Sequence, residues 1–596
     1  MTVEPKAAQR ILRQCAPLSA RQVSCQEVVG CHVVEMRRAG LAYGRWDGAS
    51  AGAAAAAASS SSCSSSTPAG PPRASLRVVS LVVFGLVGSV RFAVRGVRRC
   101  DVRVYVGIHV LCVGADNMLC AALILPATAT AHRVCVIGAG VAGLRAAQAL
   151  SAAGAKVTVF DRGDGVGGVV QTDCCEGFRL DRGFQVFLTA YPESKACLDY
   201  TELELCEFIP GAAVQLGSGG GSRHVVADPS RYPAALLRTL RFPVGSALDK
   251  IRLVIAVLAL RLLPLSTLFA EYRPRSALEY LRDDVGMSTA DGGLIASFFR
   301  PFFKGIFLSK LEQQDAVLLR FVLKMFAEGA AALPAHGLGA VSEQLAQSVR
   351  DMGGTIRLSC AVEELRAADS GDEGGVREHE VLLADGSCLA FDHIILATPR
   401  SEARRILRGV APRALAGTGW LDDQSAEETR RMPLSSACVY FALDHTPPVS
   451  EPMLVLNGAS GVVNTCCFPS VVSAAYAPPG QHLASVAVVD ADAVARADLE
   501  AAVRAELSDW FGAAEVRSWR HLRTYRIQEA QEARPPPNAP GFNRSPRVST
   551  GLYVCGAHCA TPSLNGALLS GRVAAEALLE DTRARTVELV PARDSL

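Results

Sequence analysis

The chain is short of ordered metal ligands, of basic stripes and of internal repeats. Nineteen cysteines are present, yet no C-x-x-C pair occurs. The vicinal pairs Cys174-Cys175 and Cys466-Cys467 and the spaced pair Cys555/Cys559 fit no zinc pattern. A metal centre is therefore not expected. The cysteines read as reduced, small apolar residues of a non-secretory compartment. No stripe of Lys and Arg marks the body of the chain, which excludes nucleic acid as a partner. No self-similar period is visible, which excludes a solenoid or propeller.

Charge is unevenly placed. The whole chain of 596 residues has a formal net charge of +2. Residues 1–132 hold 14 basic and 6 acidic side chains, a net of +8, and the remainder is mildly acidic at −6. The first stretch is also of low complexity. Ala53–Ala58 is all alanine, Ser59–Ser66 is serine broken only by Cys63, and Pro68, Pro71 and Pro72 follow. Such a composition cannot build a packed core and reads as a disordered extension over 1–131. Its Arg-rich, Ser-rich, acid-poor character matches an organellar transit peptide, and a non-functional extension is the alternative. Val78–Val90 is apolar but short for a membrane span, and the apolar stretch Val104–Ala129 is interrupted by Asp116.

The densest signal is Val136-Ile-Gly138-Ala-Gly140-Val-Ala-Gly143-Leu144. A β-branched run from His132 to Ile137 precedes this G-x-G-x-x-G, and an Ala/Leu-rich helix, Val141–Ala153, follows it, closed by Gly154. Lys156–Phe160 is a second strand, ending on Asp161. Each element has a task in holding a dinucleotide. Gly138 permits the tight turn, Gly140 lets backbone approach a pyrophosphate, and Gly143 lets helix pack on strand. The helix N-terminus offers N–H groups and partial positive charge to phosphate. Asp161 accepts hydrogen bonds from ribose hydroxyls. Gly167-Gly168 lies in the next loop and supplies a second close approach.

Near the other end, Leu552–Gly556 is a strand running into a loop. Ser563–Ala575 is a helix with Ser563 as its N-cap and a smooth face of Gly566, Ala567 and Gly571. Such a helix end can approach a flat ring and stabilise negative charge there. Close packing against another helix is the competing explanation of the small residues.

Together these elements resemble the flavin-containing amine oxidase superfamily, which includes protoporphyrinogen oxidases and phytoene-desaturase-like enzymes. The resemblance spans about 133–580. It is strongest to an uncharacterised plant, algal and bacterial branch, through Asp181-Arg-Gly-Phe-Gln-Val-Phe-Leu-Thr-Ala-Tyr-Pro-Glu193, Arg300-Pro-Phe-Phe-Lys-Gly-Ile-Phe307 and Tyr476-Ala-Pro-Pro-Gly480. It implies an α/β fold: a discontinuous Rossmann-like FAD-binding domain with an inserted α+β substrate domain. The FAD-binding parts are expected at 133–229, 341–400 and 546–582. The substrate domain is expected at 230–340, mainly helical, and 401–545, with a tail at 583–596. The implied cofactor is non-covalent FAD, held by Gly138, Gly140, Gly143, Asp161, Gly167, Gly168, Val362, Gly556 and Leu564. Val362 would contact the adenine through its backbone, Ala397-Thr-Pro399 would end a strand near the cofactor, and the Leu564 N–H would face the flavin.

The implied reaction is hydride transfer from an apolar or amine-type organic substrate to flavin N5, with oxygen or a quinone as acceptor. No acid–base residue stands out. Lys304 and Tyr476 lie in suggestive stretches but read more simply as surface or packing residues. Three positions depart from the family pattern. Val169 and Gln171 stand where arginines are usual, and Ala557 replaces the Asp that ends the C-terminal strand. Each loss removes a polar contact of about 1 kcal/mol, more where charge is involved. These departures keep a degenerate flavoprotein with a binding or scaffold role open. A flavin-dependent isomerase and an NAD(P)-linked dehydrogenase are further alternatives, the latter with no second dinucleotide loop visible. Ile251–Phe269 is apolar nearly all round. It reads first as a buried helix of the substrate domain, and otherwise as a peripheral membrane contact beside the entrance for an apolar substrate. Plastid is the expected location, with the cytoplasm as the alternative.

Two measurements test the extension. Protein lacking residues 1–131 should retain its full flavin content, and loss of flavin would make the segment part of the fold. A fluorescent fusion of 1–131 should enter plastids, and a cytosolic signal argues against import.

Overall fold

A computed structural model describes residues 90–91, 101–102, 132–217, 221–270, 273–367, 379–410, 433–532 and 544–588. Of the N-terminal stretch only two short strands, Val90–Arg91 and Asp101–Val102, are described, paired antiparallel. The alanine and serine runs and most of both candidate spans lie outside the described residues. Among the described residues no helix is long and apolar enough to cross a membrane.

The first strand, β1 (Arg133–Ile137), buries four of its five residues. Such continuous burial belongs to a parallel strand covered on both faces. Helix α1 (Val141–Ala152) follows, then β2 (Lys156–Phe160), parallel to β1 with Val136 opposite Val159. Three distant segments complete the sheet: β3 (Thr355–Arg357), β4 (His393–Leu396) and β5 (Leu552–Val554). The order is β3-β2-β1-β4-β5, with Arg547–Ser549 antiparallel at the edge. This is the doubly wound order, assembled from pieces over 150 residues apart. Val134 and Val136 face α1, the helix Gly339–Asp351 and the C-terminal helix α2 (Leu564–Glu588). Cys135 and Ile137 face a three-stranded meander, 362–367, 379–383 and 388–391. The alternation of β1 thus seats one cover on each side.

The second body is a seven-stranded sheet in the order 223–227, 211–215, 454–457, 465–467, 482–488, 433–443, 520–532. One face carries Ala212, Val214 and Leu456 against the helices of 236–328. The other carries Ala213, Val439 and Val455 against Leu499–Phe511 and Trp519.

Two boundaries move. Residues 211–227, expected in the first FAD-binding segment, belong to this second sheet, because 211–215 pairs parallel with 454–457. The last helix runs to Glu588, into the expected tail. A larger correction concerns Ile251–Phe269. The helix Ala247–Leu262 buries only Asp249 and Leu260. Leu248, Ile251, Val254, Ile255 and Leu258 are over half exposed, and Leu262 is 85% exposed. It is not a buried helix. Its apolar residues point outward because its contacts cover only one side.

Asp181 joins the two bodies. Its carboxylate accepts from Thr172 Oγ1 at 2.5 Å, from the Leu338 N–H at 2.9 Å and from the Tyr476 hydroxyl at 2.9 Å. Its carbonyl accepts from Tyr440 of the seven-stranded sheet at 2.8 Å. The side chain is buried, and desolvation lifts its carboxyl to about 6 against the pull of those three donors. The folded state therefore holds this proton where the unfolded chain, near 3.8, has lost it. Stability contributed by this group falls as pH rises from about 4 to about 6, and the loss is complete above that. Chemical denaturation of wild type and Asp181→Asn at pH 4 and pH 7 measures it. Between those pH values the wild type should lose about 2 kcal/mol relative to the variant. A difference that does not change with pH shows that the donors fully compensate burial.

Candidate functional site

The loop after β1 is built by close backbone approach. Gly138 has φ +111°, and a Cβ there would lie 2.6 Å from the Ala397 carbonyl oxygen. A Cβ on Gly143 would lie 2.0 Å from the Gly138 carbonyl oxygen. Gly140 differs: nothing lies within 4 Å of where its Cβ would stand. Helix α1 begins there with no side-chain cap and no acid in its first turn. Its N–H groups are thus left for an anion. The loop 161–168 closes the other side, through the Gly167 N–H to the Ala139 carbonyl at 2.8 Å.

Asp161 ties the two loops. One carboxylate oxygen accepts from the Ala139 N–H and the other from the Gly163 N–H, both at 2.7 Å. A carboxylate has further lone pairs, so a ribose hydroxyl can still donate to it. Thr398 and Pro399, continuing β4, line the same cavity. Val362 lines it too, with its carbonyl and that of Glu363 held by Arg405 at 3.3 and 2.9 Å. Arg162, Arg400 and Arg404 add positive charge at this end. Burial, and then the neighbouring Arg400 and Arg408, depress the Arg404 guanidinium. At the C-terminal element, Ser563 Oγ accepts from the Gly566 N–H at 3.1 Å, which makes it the expected cap. Ser570 Oγ holds the Gly556 N–H at 2.9 Å. Gly571 packs against α1, where a Cβ would meet the Ala142 carbonyl oxygen at 2.2 Å. Its small size therefore serves helix packing.

One cavity of about 2120 Å³ joins these parts to the second body. It is lined by Gly138, Gly140, Asp161, Gly167, Gly168, Val362, Gly556 and Leu564 among the expected residues. Gly143 lies beneath the loop and does not line it, so its part in cofactor binding is indirect. Lys304 and Tyr476 do not line it either. Lys304 pairs with Asp490 at 2.6 Å, and Tyr476 bonds Asp181. The departures have local explanations. The Gln171 amide donates to the Gly165 carbonyl at 3.0 Å, so it braces the loop from within. Val169 is 49% exposed and lines the cavity, its carbonyl held by Gln185 at 2.7 Å. Ala557 opens a short turn with His558 and Cys559 and also lines the cavity.

The far end of the cavity was not legible beforehand. Its wall includes Phe298, Phe302 and Phe326. Phe298 and Phe302 are stacked with centroids 5.5 Å apart, and Phe326 lies 5.5 Å from Phe302. The stretch Phe298-Phe-Arg-Pro-Phe-Phe303 carried a signal of aromatic density, but not of which rings face the cavity. Among the described residues no cluster suited to a metal ion occurs.

The open space at Gly140, the uncapped helix end and the acid after β2 fit the dinucleotide of a flavin cofactor. The comparisons with known proteins agree. Residues 141–579 match the family of flavin containing amine oxidoreductases, and the chain belongs to that family. It is an FAD-dependent oxidoreductase. A coproporphyrinogen III oxidase of Mycobacterium leprae is 25% identical over 346 residues, 55% of this chain and 71% of that protein. An oxidoreductase from Methanosarcina mazei, 17% identical, is matched over 75% of this chain and all of that one, with a TM-score of 0.56. The cyclohexylamine oxidase of Brevibacterium oxydans, 15% identical, covers 76% and 100% at a TM-score of 0.52. At such identities the two structures speak for the fold alone.

Substitution at Gly140 separates cradle from scaffold. Gly140→Val should yield folded protein without flavin, because the side chain fills space that nothing else in the protein occupies. Absorbance near 450 nm against circular dichroism reads this. Retained flavin in the Val variant would move the pyrophosphate elsewhere.

Proposed function

We propose that the protein oxidises an apolar organic substrate that reaches the cavity from a membrane surface, using non-covalently held FAD. The single observation that carries this is the continuity of the cavity. A dinucleotide cradle forms one end, and an aromatic and aliphatic chamber in the second body forms the other. When bound, FAD would supply the redox chemistry as a hydride acceptor, with oxygen or a quinone as the final acceptor. The residues of this chain position and enclose. Phe298, Phe302 and Phe326 exclude water from the chamber. Leu564, at the start of α2, stands where the two halves meet and packs against the cores of both bodies.

Membrane contact is supported by the outward face of Ala247–Leu262. Ile251, Val254, Ile255 and Leu258 are exposed and also line the cavity. Leu236, Leu237 and Leu240, on the neighbouring short helix, are 45–67% exposed and extend the patch. Exposed apolar residues that also line a cavity fit peripheral insertion. The departures Val169 and Ala557 favour a second reading, a flavoprotein that binds without turnover.

Purified protein should be yellow, release FAD into the supernatant on acid precipitation, and bleach under an anaerobic reductant. It should also cosediment with phosphatidylcholine vesicles, and Ile255→Glu with Leu258→Glu should abolish that while leaving the flavin in place. Colourless folded protein overturns the cofactor reading. Unchanged cosedimentation of the double variant overturns the membrane contact.

A further inference from the structure

The loop after β5 carries a ring that the glycine cradle does not account for. Gly556 opens that loop at φ +146°. A Cβ there would stand 2.5 Å from His558 Cε1 and 2.6 Å from His558 Nδ1. The imidazole thus lies folded back over Gly556, in space that only glycine leaves open, and it lines the cavity. The backbone beneath it is fixed. The Gly556 N–H donates to Ser570 Oγ, and the Gly556 carbonyl accepts from the Cys559 N–H, both at 2.9 Å. Two other polar side chains of the loop serve the fold. Thr561 and Ser563 share a hydrogen bond at 3.0 Å, and Ser563 caps α2.

The strand order says which part of a dinucleotide this ring meets. Asp161 follows β2, the phosphate cradle follows β1, and His558 follows β5, two strands further along the same parallel sheet. At about 4.8 Å per strand, its loop starts roughly 10 Å from the cradle, on the side away from Asp161. Leu564 and the first turn of α2 come next. An FAD with its adenosine toward Asp161 and its pyrophosphate at Gly140 runs its polyol chain along this stretch. We propose that the His558 imidazole hydrogen-bonds a ribityl hydroxyl of FAD, and so makes the polar contact that Ala557 cannot. A neutral imidazole offers one donor and one acceptor nitrogen, which suits a hydroxyl. The turn holds the ring in place before the cofactor arrives, so little conformational freedom is lost on binding. The assignment rests on the flavin reading and adds a residue to it.

The test titrates flavin-free full-length protein with FAD and reads the quenching of flavin fluorescence. His558→Ala should weaken FAD about five- to tenfold, the scale of one hydrogen bond. His558→Phe keeps a ring and loses both nitrogens, and it should weaken FAD equally. His558→Gln should stay within about threefold of the wild type. Adding Ala557→Asp to His558→Ala should restore the lost affinity. The analogues 2′-, 3′- and 4′-deoxy-FAD identify the partner. One of them should bind the wild type and His558→Ala alike, because the hydroxyl that the imidazole meets is gone. Where the alanine protein fails to fold, the phenylalanine protein carries the series. A loss that is the same with all three analogues overturns the ribityl contact. FAD affinity unchanged in the folded Ala and Phe variants overturns the assignment and leaves the flavin reading intact. Folded wild-type protein that takes up no FAD refutes the flavin reading itself, and the assignment with it.

Discussion

Three stretches of backbone meet at the turn after β1, closer than any side chain permits. Gly138 lies against Ala397, Gly143 lies under Gly138, and Gly571 lies against Ala142. Each contact pins one element of the cofactor half to another: strand to strand, helix to turn, and the last helix to the first. Their consequence is the open position in that turn. Gly140 faces open space because its neighbours hold the turn from below and behind. The binding surface is thus a by-product of packing that leaves a single face uncovered. Asp161 adds polar closure to this arrangement, fastening the loop at 163 to the loop at 139.

What the sequence reveals follows the range of the forces involved. The β1–α1–β2 unit is local, with its acid and glycines at fixed offsets, and it is present as expected. The Ser563 cap is equally local. The strand order is not, because pairing of β4 with β5 depends on chain ends more than 150 residues apart. Residues 211–227 fall in the second body for that reason. Gly211-Ala-Ala-Val-Gln215 has no alternation to mark its sheet, and only its pairing with 454–457 assigns it. Ile251–Phe269 shows the limit of composition. An all-round apolar helix can be buried or can face a nonaqueous phase, and hydrophobicity does not distinguish them. The distinction lies in what packs against it, and here the contacts cover one side only.

Departures from the family pattern take on a different meaning once their neighbours are seen. Gln171 does not leave an arginine's place empty. It braces Gly165, so the loop that an arginine would hold through the cofactor is held here by the protein itself. Val169 keeps its carbonyl engaged by Gln185 while its side chain faces the cavity. The loop's shape therefore does not depend on the missing charges.

Cations line the cavity at both of its ends. Arg162, Arg400, Arg404 and Arg405 line the cofactor end, and Lys250 and Arg261 line the chamber. Around Leu564, Ala567 and the Phe298–Phe302 stack the lining is apolar. A charge placed against that apolar wall would be desolvated and costly to hold. A neutral, oxidisable C–H or N–H bond fits there without penalty.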